Sequence, residues 1–312
     1  MTSASMPSLA QAGRGLALGA IAGLGIYRPP ANAPLARRVT GSDLTGVSYR
    51  VHADQGVNTA SLAAGAARAA LGAAGVNPAD IEMVIVGTTT PDVLWPTTAC
   101  LVQNELKLPM VASFDLYAAE TSLLAALNVG IRYLAAGAKS VLLIGADSDN
   151  QLVDLPGQGG TVHSRAAAAA ILTRAGGDGG VLSTMAGGAA RPEGNGNGSD
   201  PSVLQGLSDG ATECLRKASL SLSEIDLVIG EQSAPEIMQA WSKAAGVSPT
   251  RLLLDPARYG NLLAAAPLTV LHDAVKEGRL QNGMTALLLS CGSGPTWAAA
   301  CVRWGGGGVA EW

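Results

Sequence analysis

The chain has 312 residues, 48% of them hydrophobic and 14% charged, with a net charge of −4 and a mean hydropathy of +0.27. So much apolar residue with so little charge excludes an intrinsically disordered chain, and the acidic balance argues against a nucleic-acid protein, which carries a basic stripe. The 40 glycines follow no G-x-y period, so collagen is excluded too, and the apolar surplus calls for a large oligomer interface.

Residues 1–15 read as a flexible leader. Leu16 to Ile26 is apolar but too short to cross a bilayer and is interrupted by Gly19, Gly23 and Gly25, so it reads as a first core strand. From Ala66 to Asp92 the chain runs helix, short loop, then the strand "MVIVG". From Ser113 it runs "SFDLYAAETSLLAALNVGIRYLAAGAKSVLLIGAD": strand, turn, helix, strand. Gly, Asn and Pro then accumulate over residues 176–202, within which Val181 to Met185 has the composition of a strand.

Beyond that connection the pattern returns. "ATECLRKASLSLSEIDLVIGEQSAPE" from Ala211 echoes the stretch from Ala66, and "LLLDPARYGNLLAAAPLTVLHDAVKEGRLQNGMTALLLSCGS" from Leu252 echoes the stretch from Ser113. Ile81 matches Ile225 and Asp115 matches Asp255, in the same order and at nearly equal offsets, which marks a duplication. The expected organisation is therefore a first half over 16–175, a Gly-rich connection over 176–202 and a second half over 203–312. The runs "MVIVG", "SVLLIG", "LVIG" and "ALLLS" suit strands buried on both faces, as in parallel sheets covered by helices.

In each half a strand ends, the chain turns, and a polar residue stands at the mouth of a helix: Glu120 after "LYAA", Asn261 after "PARYG". Ligands of open α/β sheets bind at the carboxyl ends of strands, and a helix N-terminus there offers N–H donors. Other polar candidates are weaker. His52 reads as an exposed loop residue, His163 lacks an identifiable acid, and His272, beside Asp273 on an amphipathic helix, reads as solvated surface. The cysteines Cys100, Cys214, Cys291 and Cys301 form no C-x-x-C pair and read as reduced thiols in a cytoplasmic protein, with no metal site; Cys291 reads as a small buried hydrophobe. No H-E-x-x-H, G-x-S-x-G or P-loop motif occurs.

Five stretches in shared order carry a family resemblance: "TGVSYR" (45–50), "TTTPDVLWPTTACLVQ" (88–103), "FDLYAAETS" (114–122), "YGNLLAAA" (259–266) and "CGSGPTWAAACVRW" (291–304). Together they resemble β-ketoacyl-acyl carrier protein synthase III, from about Ile21 to Trp304. The resemblance implies a thiolase-like five-layered αβαβα fold, a dimer, and work on acyl thioesters carried by coenzyme A or acyl carrier protein, with no other cofactor and no membrane or nucleic-acid partner. It also implies an interface role for Trp95-Pro96.

By the same resemblance, Glu120 stands where the family has its acyl-accepting cysteine and Glu231 where it has a histidine. Asn261 is retained, preceded by Tyr259 in place of the usual histidine, and Gly294 stands at the oxyanion-hole turn. Thr40, Leu44 and Gln151 fall where the family clamps coenzyme A, and Glu236 where it docks its carrier. A carboxylate is a poor acyl acceptor beside a thiolate, so standard cysteine-dependent condensation is not expected. Two readings follow. Glu120, Glu231 and Asn261 perform non-cysteine acyl transfer or acid/base chemistry in fatty-acid-like or polyketide-type biosynthesis. Alternatively, the chain is a silent subunit that pairs with a cysteine-containing ketosynthase as a heterodimer.

Overall fold

The computed structural model describes residues 17–29, 57–148, 165–177, 179–189, 201–292 and 295–312. The first half begins with β1 (Ala20–Tyr27), α1 (Thr59–Ala74) and β2 (Met83–Gly87). An Asn58–Ser61 capping box starts α1, and Gly75, at φ 62, ends it in the left-handed conformation that glycine adopts without strain. There follow α2 (Thr98–Glu105), β3 (Ala112–Leu116), α3 (Ser122–Ala135), β4 (Ser140–Asp147) and β5 (Ala166–Thr173).

The second half repeats the plan with β6 (Gly180–Gly188), α4 (Pro201–Ala218), β7 (Leu227–Ile229), α5 (Pro235–Ala245) and β8 (Leu252–Leu253). The short α6 (Pro256–Tyr259) precedes α7 (Ala266–Lys276), β9 (Thr285–Gly292) and β10 (Thr296–Arg303). A last strand, β11 (Gly308–Glu311), pairs in parallel with β1.

The two sheets have the same internal order: β1-β5-β4-β2-β3 in the first and β6-β10-β9-β7-β8 in the second, with β11 added at the edge beyond β1. This is the duplication written in strand order. The apolar runs form the parallel pairs β2–β4 and β7–β9, but β5 and β10 run antiparallel beside them, so both sheets are mixed. Between the second and third strands of each half, β2 and β3 or β7 and β8, the structure also inserts α2 and α5, which the sequence pattern had not separated from loops.

Three apolar clusters account for five layers. One joins α1 and α2 to one face of the first sheet, the central one packs α3 and α7 between the two sheets, and the third joins α4 and α5 to the far face of the second. The central position of α7 corrects the reading of His272. Its ring is wholly buried, and Nδ1 lies 3.0 Å from Asp273 Oδ1. Packing of α7 between the two sheets removes His272 and Asp273 from water, so Asp273 draws its partners from inside. Asp273 Oδ2 accepts from Arg28 (2.7 Å), Arg258 (2.9 Å) and Tyr259 (3.1 Å). Burial pushes the Asp273 carboxyl up, but the His272 bond and the Arg28 and Arg258 charges outweigh it and hold its pKa down at about 2. Among the described residues, no helix is long and apolar enough to cross a membrane.

Candidate active site

The turn after β3 sets up the first site residue. Ala119 is held at φ 49, a left-handed conformation costly for a residue with a Cβ, and Glu120 follows it immediately before the N-cap Thr121 of α3. Hydroxyls fix this turn: Thr121 donates to the Ala118 carbonyl and Ser122 to the Ala119 carbonyl, both at 2.6 Å, and Ser122 Oγ accepts from the Ala118 N–H at 2.8 Å. Asn261 also follows a left-handed residue, Gly260 at φ 61. Its Oδ1 accepts from the Leu263 N–H at 3.0 Å, which turns the chain into α7 and leaves the amide nitrogen as the donor.

Glu231 lies two residues beyond β7 and is 1% exposed. Its Oε1 accepts from the Ser233 N–H (3.3 Å) and hydroxyl (3.1 Å), whereas Oε2 is buried without a partner. Burial pushes its pKa up to about 8; the negative charge of Glu120 adds to the rise and the Ser233 bonds oppose it. The two glutamates, 111 positions apart in sequence, therefore share one site.

Cys291, near the end of β9, is buried beside them. Burial, then Glu231, then Glu120 push its thiol far above the ordinary range, so it stays protonated and is no nucleophile. A Cβ on the next residue, Gly292, would overlap Glu120 Oε2, so the glutamate carboxylate lies directly against the backbone at the end of β9 and a side chain there would make it shift. The Ser290 hydroxyl is wholly buried, lowers the Glu231 pKa slightly, and meets no hydrogen-bond geometry.

One residue that sequence reasoning missed braces this site. Asp147 at the end of β4 is buried; its Oδ1 accepts from the Thr89 N–H and hydroxyl, each at 2.7 Å, from Thr90 at 3.1 Å and from Thr88 at 3.3 Å. Its Oδ2 accepts from the Ala264 N–H at 2.8 Å, in the turn that follows Asn261. Burial raises its pKa to about 6 against the pull of these donors. The threonine run at 88–90 was the available signal, since three adjacent hydroxyls at a strand end need an acceptor.

Gly294, His52, His163, Thr40, Leu44 and Gln151 lie outside the described residues. Glu236 is exposed in the first turn of α5. Among the described residues, no group of three metal-binding side chains occurs.

Comparison with known proteins agrees with this architecture. Residues 215–304 match the family model described as 3-oxoacyl-[acyl-carrier-protein (ACP)] synthase III C terminal. The β-ketoacyl-[acyl-carrier-protein] synthase III of Xylella fastidiosa (strain Temecula1) is 32% identical over 316 residues, covering 91% of this chain and 98% of that protein. The enzyme of the same name from Bradyrhizobium sp. (strain BTAi1) is 33% identical over 320 residues, with the same coverage. Among solved structures, the 3-oxoacyl-[acyl-carrier-protein] synthase III of Aquifex aeolicus VF5 superposes with a TM-score of 0.82 at 29% identity, covering 92% of this chain and 100% of that one. The priming β-ketosynthase of the R1128 polyketide pathway, at 22% identity and a TM-score of 0.80, shares the fold. With sequence identity above 30% sustained over 91% of its length, the chain belongs to the β-ketoacyl-[acyl-carrier-protein] synthase III family.

Proposed function

We propose that this protein handles acyl thioesters, carried by coenzyme A or acyl carrier protein, and transfers the acyl group by acid/base chemistry without a cysteine nucleophile. The observation that carries this reading is the pairing of Glu120 and Glu231 in one site, with an unpartnered, buried Glu231 Oε2. A pair of carboxylates whose environments differ divides into an acid and a base. Glu231, with its pKa raised to about 8, is the carboxylic acid at neutral pH, and Glu120 is the base. Asn261 donates its amide N–H to the developing oxyanion. The names of the relatives support a place in fatty-acid-like or polyketide-type biosynthesis, and a cytoplasmic location is part of the same proposal.

The protein works as a dimer under this proposal. Leu94 (75% exposed) and Trp95 (84%) precede α2, Met110 precedes the edge strand β3 and Tyr117 directly follows it; exposed apolar residues of this size are suited to a partner. The same exposed apolar residues favour the second reading, a catalytically silent subunit seated on a cysteine-containing ketosynthase.

Intact-mass analysis and turnover assays with acyl-CoA and acyl carrier protein thioesters, with and without a ketosynthase partner, separate these readings. The purified chain should be a homodimer that consumes thioester, and Glu120→Gln should abolish consumption while the fold survives. An acyl adduct on a cysteine would overturn the proposal. Activity that requires the partner and ignores Glu120→Gln would establish the silent subunit.

A further inference from the structure

Asn261 sits in a turn that cannot hold itself. Before it stand α6, a helix of one turn and too short to be stable alone, and Gly260 at φ 61, which has no side chain to anchor it. After it comes Leu263 at φ 49. Side chains from outside the turn must fix it, and two buried carboxylates grip it, one at each end. Asp147 of the first sheet accepts from the Ala264 N–H at 2.8 Å. At the other end Asp273 on α7 accepts from the Tyr259 hydroxyl at 3.1 Å and from the Arg258 guanidinium at 2.9 Å, so the last two residues of α6 are both tied to it.

Asp273 is itself a fixed point. It is 3% exposed on a helix packed between the two sheets. Arg28, just beyond β1, donates to its Oδ2 at 2.7 Å, and His272 Nδ1 lies 3.0 Å from its Oδ1. Hydrogen bonds to a buried, ionised carboxylate are among the strongest that side chains make. The Arg258 guanidinium also lies 5.0 Å over the Tyr259 ring, which braces the two donors against each other.

Resting on the acyl-thioester reading above, we infer that Asp273 is a positioning residue of the acyl-transfer site: through the Tyr259 hydroxyl and the Arg258 guanidinium it sets the place of Asn261. It touches neither substrate nor reacting atoms. Its carboxylate holds the end of α6, and one residue, Gly260, separates that end from the asparagine. Asn261 Oδ1 then closes the turn on the Leu263 N–H, so that bond reports whether the asparagine is in place.

The test leaves Asp273 intact and cuts its two links to α6, because the acid then keeps Arg28 and His272 and no buried charge is left unpaired. The full-length Arg258→Gln/Tyr259→Phe variant is compared with the wild type by residue-resolved amide hydrogen exchange. The Leu263 N–H should exchange at least about 10-fold faster, while Ile85 in β2 and Leu143 in β4 keep their rates. In a second arm, consumption of acetyl-CoA through decanoyl-CoA should show kcat lowered by about 10-fold with KM unchanged. A substitution that only weakened the fold would quicken Leu263, Ile85 and Leu143 alike and leave kcat per folded molecule as it was. That pattern, an unchanged Leu263, or an unchanged kcat would overturn the positioning role and leave the acyl-thioester reading standing. A wild type that consumes no acyl-CoA would overturn that reading, and exchange at Leu263 would still decide whether Asp273 places Asn261.

Discussion

Asp147 and Ala264 stand 117 positions apart, yet the carboxylate of the first accepts a 2.8 Å hydrogen bond from the backbone N–H of the second. The carboxyl end of the first sheet thereby holds the turn that carries Asn261. Leu263, within that turn, sits at φ 49, a conformation that needs such external fixing. Asp147→Ala strands the Thr89 and Ala264 N–H groups in the interior. The expected cost is about 3 kcal/mol in denaturant unfolding, with faster hydrogen exchange at Ala264. An unchanged unfolding midpoint would refute the bracing role.

The Glu231 carboxyl rises from an ordinary 4.5 to about 8 in the folded chain. The folded state therefore holds this proton more tightly than the unfolded state. Its contribution to stability is complete below pH 4.5 and is lost as pH climbs through about 8. In Glu231→Gln the amide keeps an acceptor for Ser233 and offers a donor to Glu120. Melting temperatures taken across this range should fall less steeply for the variant, which should be more stable than wild type by about 2 kcal/mol at the alkaline end. Parallel curves for the two proteins would contradict the assignment.

Asp273 behaves in the opposite sense. Its pKa falls from 3.8 to about 2, so its contribution is present above the ordinary carboxylate value and disappears as pH drops through about 2. Asp273→Ala leaves His272, Arg28, Arg258 and Tyr259 without their common acceptor. A loss of about 3 kcal/mol at neutral pH is expected from chemical denaturation, shrinking in strong acid.

Thiol chemistry offers an independent check on the site. Burial pushes Cys214 to about 11 and Cys301 to about 12, and Cys291 is suppressed further by the two glutamates. Cys100 is the half-exposed one. Iodoacetamide applied to the native protein should label Cys100 first, as read by peptide mapping, with Cys291 protected until unfolding. Rapid labelling of Cys291 would show a reactive thiol in the site.

The exposed apolar residues Leu94 and Trp95 before α2 predict assembly. Leu94→Asp and Trp95→Asp should convert the dimer to monomer in sedimentation analysis, with the far-ultraviolet spectrum retained. A wild-type chain that is already monomeric would place the apolar residues in some other contact.

The sequence by itself determined the architecture. Apolar runs such as "MVIVG" and "ALLLS" fix buried strands, the echo of Ile81 in Ile225 fixes the repeat, and Glu120 and Asn261 are legible because strand ends and helix mouths are local features. What only the tertiary structure decided are relations between distant positions. The charge of Glu120 reaches Glu231 because the turn after β3 lies against Gly292 at the end of β9, the neighbour of β7 in the other sheet, and Asp147 reaches Ala264 through an equally distant contact. His272 has the spacing of a surface residue and is buried, because a helix's wet and dry faces are set by the layers around it and not by its own periodicity.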